Sequence, residues 1–240
     1  MRYLPICPPD LLQVVANDEW IFALAQYVKS DIRYREWLRH FRGKIILDNG
    51  AAEGERVSFD EVVALGEYIG ATEIILPDEL GDRKWTVEMT TDLAALELVA
   101  PERRVIVPQA DSLAGWMDCL AEIHEALEGQ YVTIALPKLY EQYPGGRAQL
   151  LTALSTAGYT KRYNIHMLGF YNKPITEVVQ AAAVYPGIRT WDGAAAVSYA
   201  QHNDHINDLR WYSLDWKQPA NVYGVLGNAA WLQHLMKAVA

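Results

Sequence analysis

Along the chain, short apolar runs recur, each closed by a proline, glycine, aspartate or asparagine and followed by a stretch whose apolar positions repeat at helical spacing. That alternation marks repeated β-α units, because a strand that reads as nearly continuous Val, Ile and Leu must be covered on both faces, as parallel strands are. Strands are predicted over residues 3–7, 44–48, 73–77, 104–108, 132–136, 164–169 and 188–192, with an eighth in 211–216 or 221–225. Helices are predicted over 86–99, 112–127, 146–157, 175–184 and 228–239, while residues 18–41 read as a helical insertion between the first two strands. Ser58-Phe59-Asp60-Glu61 reads as a capping box that opens a helix ended by Gly70. Eight such units make an α/β protein of the (β/α)8 TIM-barrel class, a fold of about 250 residues. No linker or low-complexity tract divides the chain, so residues 1–240 are expected to form a single TIM-barrel domain.

Composition narrows the setting. With 51% hydrophobic and 21% charged residues the chain has an ordinary globular balance, and it holds no apolar run of the ~20 residues that cross a bilayer. Residues 1–10 place one arginine before a short apolar stretch but include Pro5, Pro8 and Pro9 and no small-residue cleavage site. That is a poor signal peptide, and a cytoplasmic protein without membrane contact is expected. Cys7 and Cys119 are expected to be reduced packing thiols. A net charge of −9 opposes general affinity for phosphates, so nucleic-acid contact must be local. The residues expected to supply it as a basic rim are Arg83, Lys84, Lys138, Arg147, Lys161 and Arg162.

In this fold the chemistry sits where strands end and βα loops begin. The predicted strands end on Asp48-Asn49-Gly50, Asp78-Glu79, Gln109, Pro137-Lys138, Gly169-Phe170 and Trp191-Asp192-Gly193, a polar set suited to a planar, donor-rich ligand. Each has a plainer reading as well. Asp48-Asn49-Gly50 is a turn-former, Asp192 could cap a helix over 193–201, Asp78-Glu79 could be a solvated loop, and Gln109 could simply lead into a helix capped by Ser112. Lys138 reads as a phosphate contact, a surface lysine or a Schiff-base amine, and His166 as a core histidine with its hydrogen bonds satisfied.

The order of these strand ends resembles the tRNA-guanine (queuine) transglycosylases. Ile46-Leu47-Asp48-Asn49-Gly50 is similar to the family's Thr-Asp-Ser-Gly-Gly, Leu76-Pro77-Asp78-Glu79 to its Phe-Asp-Glu, and Val107-Pro108-Gln109 to its Val-Gln-Gly. His166-Met167-Leu168-Gly169-Phe170 is similar to Leu-Met-Gly-Val-Gly, and Trp191-Asp192-Gly193-Ala194-Ala195 with Tyr199-Ala200 to the archaeal branch's Phe-Asp-Ser-Ala-x-x-x-x-Tyr-Ala. The resemblance spans about residues 44–201 and implies exchange of guanine for a 7-deazaguanine-type base through a covalent aspartyl-sugar intermediate. It implies Asp192 as nucleophile and Asp48 as the group that manages protons, the two-carboxylate logic of retaining sugar chemistry. Asp78 would accept from the base's N–H groups, Gln109 would face its carbonyl, Met167 would form an apolar wall and Gly169 would leave room. Leu136-Pro137-Lys138 stands where the family presents glycine backbone, so Leu136 and Lys138 also fall on the substrate and bear on base preference.

The family's Cys-x-Cys-x-x-Cys and histidine zinc site is missing, and His202-Asn203-Asp204-His205 with Asp208 shows no evident third and fourth ligand, so neither zinc nor a cofactor is expected. Loss of that region puts tRNA and the usual dimer in question. The resemblance is therefore to reduced, phage or bacterial forms that insert 7-deazaguanine into DNA, which favours DNA over tRNA as acceptor. Two alternatives come from other classes: a non-catalytic, base- or nucleic-acid-binding partner subunit, and an unrelated TIM-barrel lyase that uses Lys138.

Overall fold

The computed structural model describes residues 1–15, 19–51, 57–215 and 217–240. Its strands are β1 (Arg2–Pro5), β2 (Trp20–Leu24), β3 (Lys44–Asp48), β4 (Glu73–Ile75), β5 (Arg104–Ile106), β6 (Thr133–Pro137), β7 (Asn164–Leu168) and β8 (Thr190–Gly193). Each is followed by helix before the next begins. The chain divides into two compact units, a terminal unit of Met1–Asn17 with Pro137–Ala240 and a central unit of Asp18–Leu136.

In the central unit β2 pairs with β3, β3 with β4, β4 with β5 and β5 with β6, all parallel. These strands are buried nearly throughout, which is why they read as continuous apolar runs. In the terminal unit β8 lies between β1 and β7, again parallel, with Tyr3 opposite Trp191, Leu4 opposite Asp192 and His166 opposite Thr190. The last helix, Val222–Val239, is capped by the Asn221 side chain, which accepts from the amides of Tyr223 and Gly224. Its Gln233 accepts a hydrogen bond from the backbone N–H of Tyr3 at 3.0 Å, tying the helix to β1.

Three expectations about the elements are corrected. The stretch read as a helical insertion contains a strand, β2, so the predicted second strand is the third; Asp18, where that stretch began, lies outside the described residues. Neither candidate for the eighth strand is one. Residues 211–215 form no strand, Trp216 lies outside the described residues, and Asn221 to Val225 open the last helix, so the eighth strand is the one that carries Asp192. Ser58 does occupy the cap position of helix Phe59–Ile69, and Gly70 ends it at φ 69°, but no reciprocal capping box forms. The Ser58 side chain makes no cap bond, and Glu61 instead accepts from Lys29 Nζ at 2.8 Å.

Among the described residues no helix is long and apolar enough to cross a membrane. Cys7 and Cys119 are free and buried, and burial pushes their thiols up to about 12 and about 11.

Candidate functional site

Each unit carries a buried carboxylate at a strand end. In the terminal unit that group is Asp192, on β8 and 2% exposed. Side chains alternate along a strand, so Asp192 shares a face with Thr190, and the pairing of β7 with β8 sets His166 on the same face. His166 Nε2 lies 3.0 Å from Asp192 Oδ1, and His166 Nδ1 lies 2.8 Å from Thr190 Oγ1. The backbone N–H of Gly169, just past β7, donates to the same Oδ1 at 3.2 Å. Oδ2 of Asp192 accepts no hydrogen bond among the described residues. Asp192 is not a helix cap: the next helix, Ala195–Gln201, is preceded by Ala194 and has no side-chain cap bond.

The loop that presents the Gly169 amide is held from beneath. Arg147 is wholly buried and donates through Nη1 to the carbonyls of Leu168 and Gly169 at 3.1 and 3.0 Å. It also pairs with Glu141 at 3.0 Å and Glu177 at 2.7 Å, and its guanidinium stands over the Trp191 ring at 4.8 Å. Trp191 Nε1 adds a second donor to the Gly169 carbonyl at 2.9 Å. Glu177 in turn accepts from the backbone amides of Tyr171, Asn172 and Lys173, so one buried carboxylate organises the whole β7 loop. The expectation of Arg147 as part of a phosphate-binding rim is therefore wrong: it is a core cation with two carboxylate partners. Arg83 is likewise engaged, with Asp118 at 3.2 Å and with Glu122, and Lys84 lies 3.8 Å from Glu88.

Gly169 adopts φ +63°, and a Cβ built there would meet Lys138 Cδ at 2.9 Å. The alkyl stem of Lys138 thus lies against Gly169, and the glycine serves the left-handed turn that aims its N–H at Asp192. Lys138 itself is exposed, at the start of a short 3₁₀ turn, Lys138–Gln142, that follows β6. Met167, expected as an apolar wall, alternates to the opposite face from Asp192, pairs with Trp191 and is fully buried. Leu168, half-buried on the His166 face, is the apolar neighbour that sequence reasoning passed over.

In the central unit the buried carboxylate past the C-terminal end of a strand is Asp78, 8% exposed. Asn49 Nδ2 donates to its Oδ1 at 2.8 Å and Gln109 Nε2 to its Oδ2 at 2.7 Å. Burial lifts the Asp78 carboxyl from its ordinary 3.8 to about 6, against the downward pull of those two amides. Asn49 also donates to the Leu76 carbonyl at 3.0 Å, which locks its amide orientation. Gln109 is 1% exposed, and its Oε1 lies 3.5 Å from the Gly81 amide. The sequence singles out Asp78 and Gln109 but not Asn49, the other amide that donates to Asp78, which reads as part of a turn. Asp48 ends β3 half-buried, with the Gly50 amide donating to its Oδ2 at 3.2 Å, and Gly50 sits at φ 81°. Leu136, on β6, is fully buried.

His202 stacks on Tyr212 with centroids 4.1 Å apart and its Nδ1 lies 3.0 Å from the Ser198 carbonyl. Asp208 accepts from the amides of Ile175 and Thr176, the start of helix Pro174–Val184. Among the described residues no three His, Cys, Asp or Glu side chains converge as a metal site.

No protein-family model matches the chain, and no curated protein matches it. Solved structures do. A ligand-free tryptophan synthase from M. tuberculosis aligns with a TM-score of 0.55 at 11% identity, covering 98% of this chain and 91% of that one. An N-acetylneuraminate lyase from Fusobacterium nucleatum aligns at 0.52 and 12% identity, covering 81% and 69%. A glycerol uptake operon antiterminator regulatory protein from Listeria monocytogenes aligns at 0.50 and 10% identity, covering 81% and 92%. At such identities the likeness shows the fold alone. The protein has the eight-stranded, parallel (β/α)8 fold of the TIM-barrel class.

Proposed function

We propose that the protein is a base-exchanging pentosyltransferase of the transglycosylase kind, which replaces guanine in nucleic acid by a 7-deazaguanine-type base, with DNA favoured over tRNA. The observation that carries the reading is the one-sided hydrogen bonding of Asp192: among the described residues His166 Nε2 and the Gly169 amide both meet Oδ1, and none meets Oδ2. A carboxylate held in that way is oriented yet keeps one oxygen for attack. Oδ2 would attack the anomeric carbon, the carbon–nitrogen bond would break, and the departing base would leave with the electron pair and take up a proton. The resulting aspartyl-sugar ester would be displaced by a ring nitrogen of the incoming base, which gives up its proton as the Asp192 carboxylate is released. Two inversions make net retention. Asp48 is assigned the protons, and Asp78 with Gln109 the base edge, as the resemblance implies. The test is incubation with radiolabelled guanine and 7-deazaguanine bases against duplex DNA, single strands and tRNA. Incorporation into DNA alone is the expected result, and incorporation into none of the three contradicts the reading.

A second reading rests on Lys138, an exposed amine after β6 whose stem lies against Gly169, next to the Asp192 hydrogen bonds. A lysine so placed could add to a substrate carbonyl and expel water to give a Schiff base, as a TIM-barrel lyase would require. Borohydride trapping with pyruvate as probe distinguishes the two: a stable adduct at Lys138 favours the lyase, and its absence the transferase.

A further inference from the structure

We propose that His166 and Thr190 form a tautomer lock that decides which oxygen of Asp192 reacts, an inference that rests on Asp192 as the nucleophile. His166 and Thr190 are both 0% exposed, so every polar hydrogen in the group needs a protein acceptor. Among the described residues the Thr190 hydroxyl has one side-chain partner, His166 Nδ1 at 2.8 Å. Were Nδ1 protonated, the Thr190 hydroxyl hydrogen would be buried with nothing among the described residues to accept it. The hydroxyl therefore donates to Nδ1, the imidazole is neutral, and its hydrogen sits on Nε2. Nε2–H then donates to Asp192 Oδ1 at 3.0 Å, beside the Gly169 amide on the same oxygen.

Two consequences follow for the reaction. The carboxylate cannot rotate about its own axis without breaking both donors, so Oδ2 is preselected as the attacking atom. A neutral imidazole also orients Asp192 without pairing off its negative charge, as an imidazolium would. His166 and Thr190 are thus positioning residues: neither touches the sugar, and both act through Asp192.

The test uses the whole chain with isotope-labelled histidine, and reads each His166 ring nitrogen by NMR at neutral pH. The expected spectrum is the neutral Nε2–H tautomer. In Thr190→Val the Nδ1 resonance should move to the position of a nitrogen that accepts no hydrogen bond, while Thr190→Ser should match the parent. In the guanine-exchange assay His166→Leu should lower kcat by about 10- to 100-fold, the worth of one hydrogen bond to a charged group. KM should hold, and His166→Gln, whose amide can still donate, should recover most of the loss. An imidazolium or an Nδ1–H tautomer in the parent, an unmoved Nδ1 resonance in Thr190→Val, or a His166→Gln variant as poor as His166→Leu overturns the lock. If the parent shows the Nε2–H tautomer but exchanges no base on any acceptor, the functional reading falls while the tautomer assignment stands.

Discussion

Asp192 in the terminal unit and Asp78 in the central unit are both buried carboxylates, and they are satisfied in opposite ways. Among the described residues Asp192 meets His166 and the Gly169 amide on a single oxygen, whereas Asp78 receives one side-chain amide on each. The first arrangement leaves one oxygen without a donor among the described residues. The second spends both oxygens on fixing the group and compensates its burial only in part, so the carboxyl is lifted to about 6. Hydrogen-bond distribution, more than burial, separates a carboxylate suited to attack from one suited to hold a position or present an acceptor to a ligand.

Breaking the contrast at its chemical end has the largest expected effect. Asp192→Asn keeps the shape but not the nucleophilicity, and base exchange should fall by about a millionfold, as when other catalytic nucleophiles are removed. Asp48→Asn should cost less, about a hundred- to ten-thousandfold, because it removes proton transfer rather than the bond-forming atom. Rate measurements on the two variants check the order, and equal losses would erase the assigned roles.

The support beneath Asp192 comes next. Arg147→Met removes the partner of Glu141 and Glu177 and two donors to the β7 loop. Breaking a buried ion pair on one side costs about 3–5 kcal/mol, and urea denaturation should show a loss of that size. A loss below about 1 kcal/mol would mean that Arg147 is not the anchor its contacts indicate.

The smallest effect is at Asp78, and it depends on pH. Its carboxyl rises from 3.8 to about 6 on folding, so between those values the folded chain holds a proton that the unfolded chain has lost. Stability from this group is full below 3.8 and is lost as pH rises through about 6. Relative to Asp78→Asn, which does not titrate, the parent should lose on the order of 2–3 kcal/mol of unfolding free energy as pH rises from about 4 to about 7. A difference that stays flat with pH would show that Asp78 is not perturbed.

Much of this contrast could be read from the sequence, and the reasons for the rest are local. Seven apolar runs closed by proline, glycine or polar residues mark seven strands and place Asp48, Asp78, Gln109 and Asp192 at strand ends. The missed strand, Trp20–Leu24, is five apolar residues that pass straight into helix Ala25–Ser30 with no turn residue between, and so short a run fits either element. Arg147 follows Gly145-Gly146 and looks like a surface lead-in to a helix; only folding brings Glu177, thirty positions on, to within 2.7 Å. His166 gave no local signal. Its link to Asp192 exists only through the pairing that sets it opposite Thr190, a property of two strands and not of either one. Met167 needs the same two-strand view: alternation along β7 turns it away from the Asp192 face, which a motif taken as a block does not show.

The central claim is that Asp192 forms a covalent bond to a sugar, and peptide mapping by mass spectrometry tests it most directly. The parent protein would be incubated with duplex DNA, and separately with tRNA, with no free base supplied, then quenched in acid and digested. The account predicts a pentose-bearing adduct on the peptide that contains Asp192, absent from Asp192→Asn. An adduct on Asp48 or Lys138 instead, or no adduct with either nucleic acid, would contradict it.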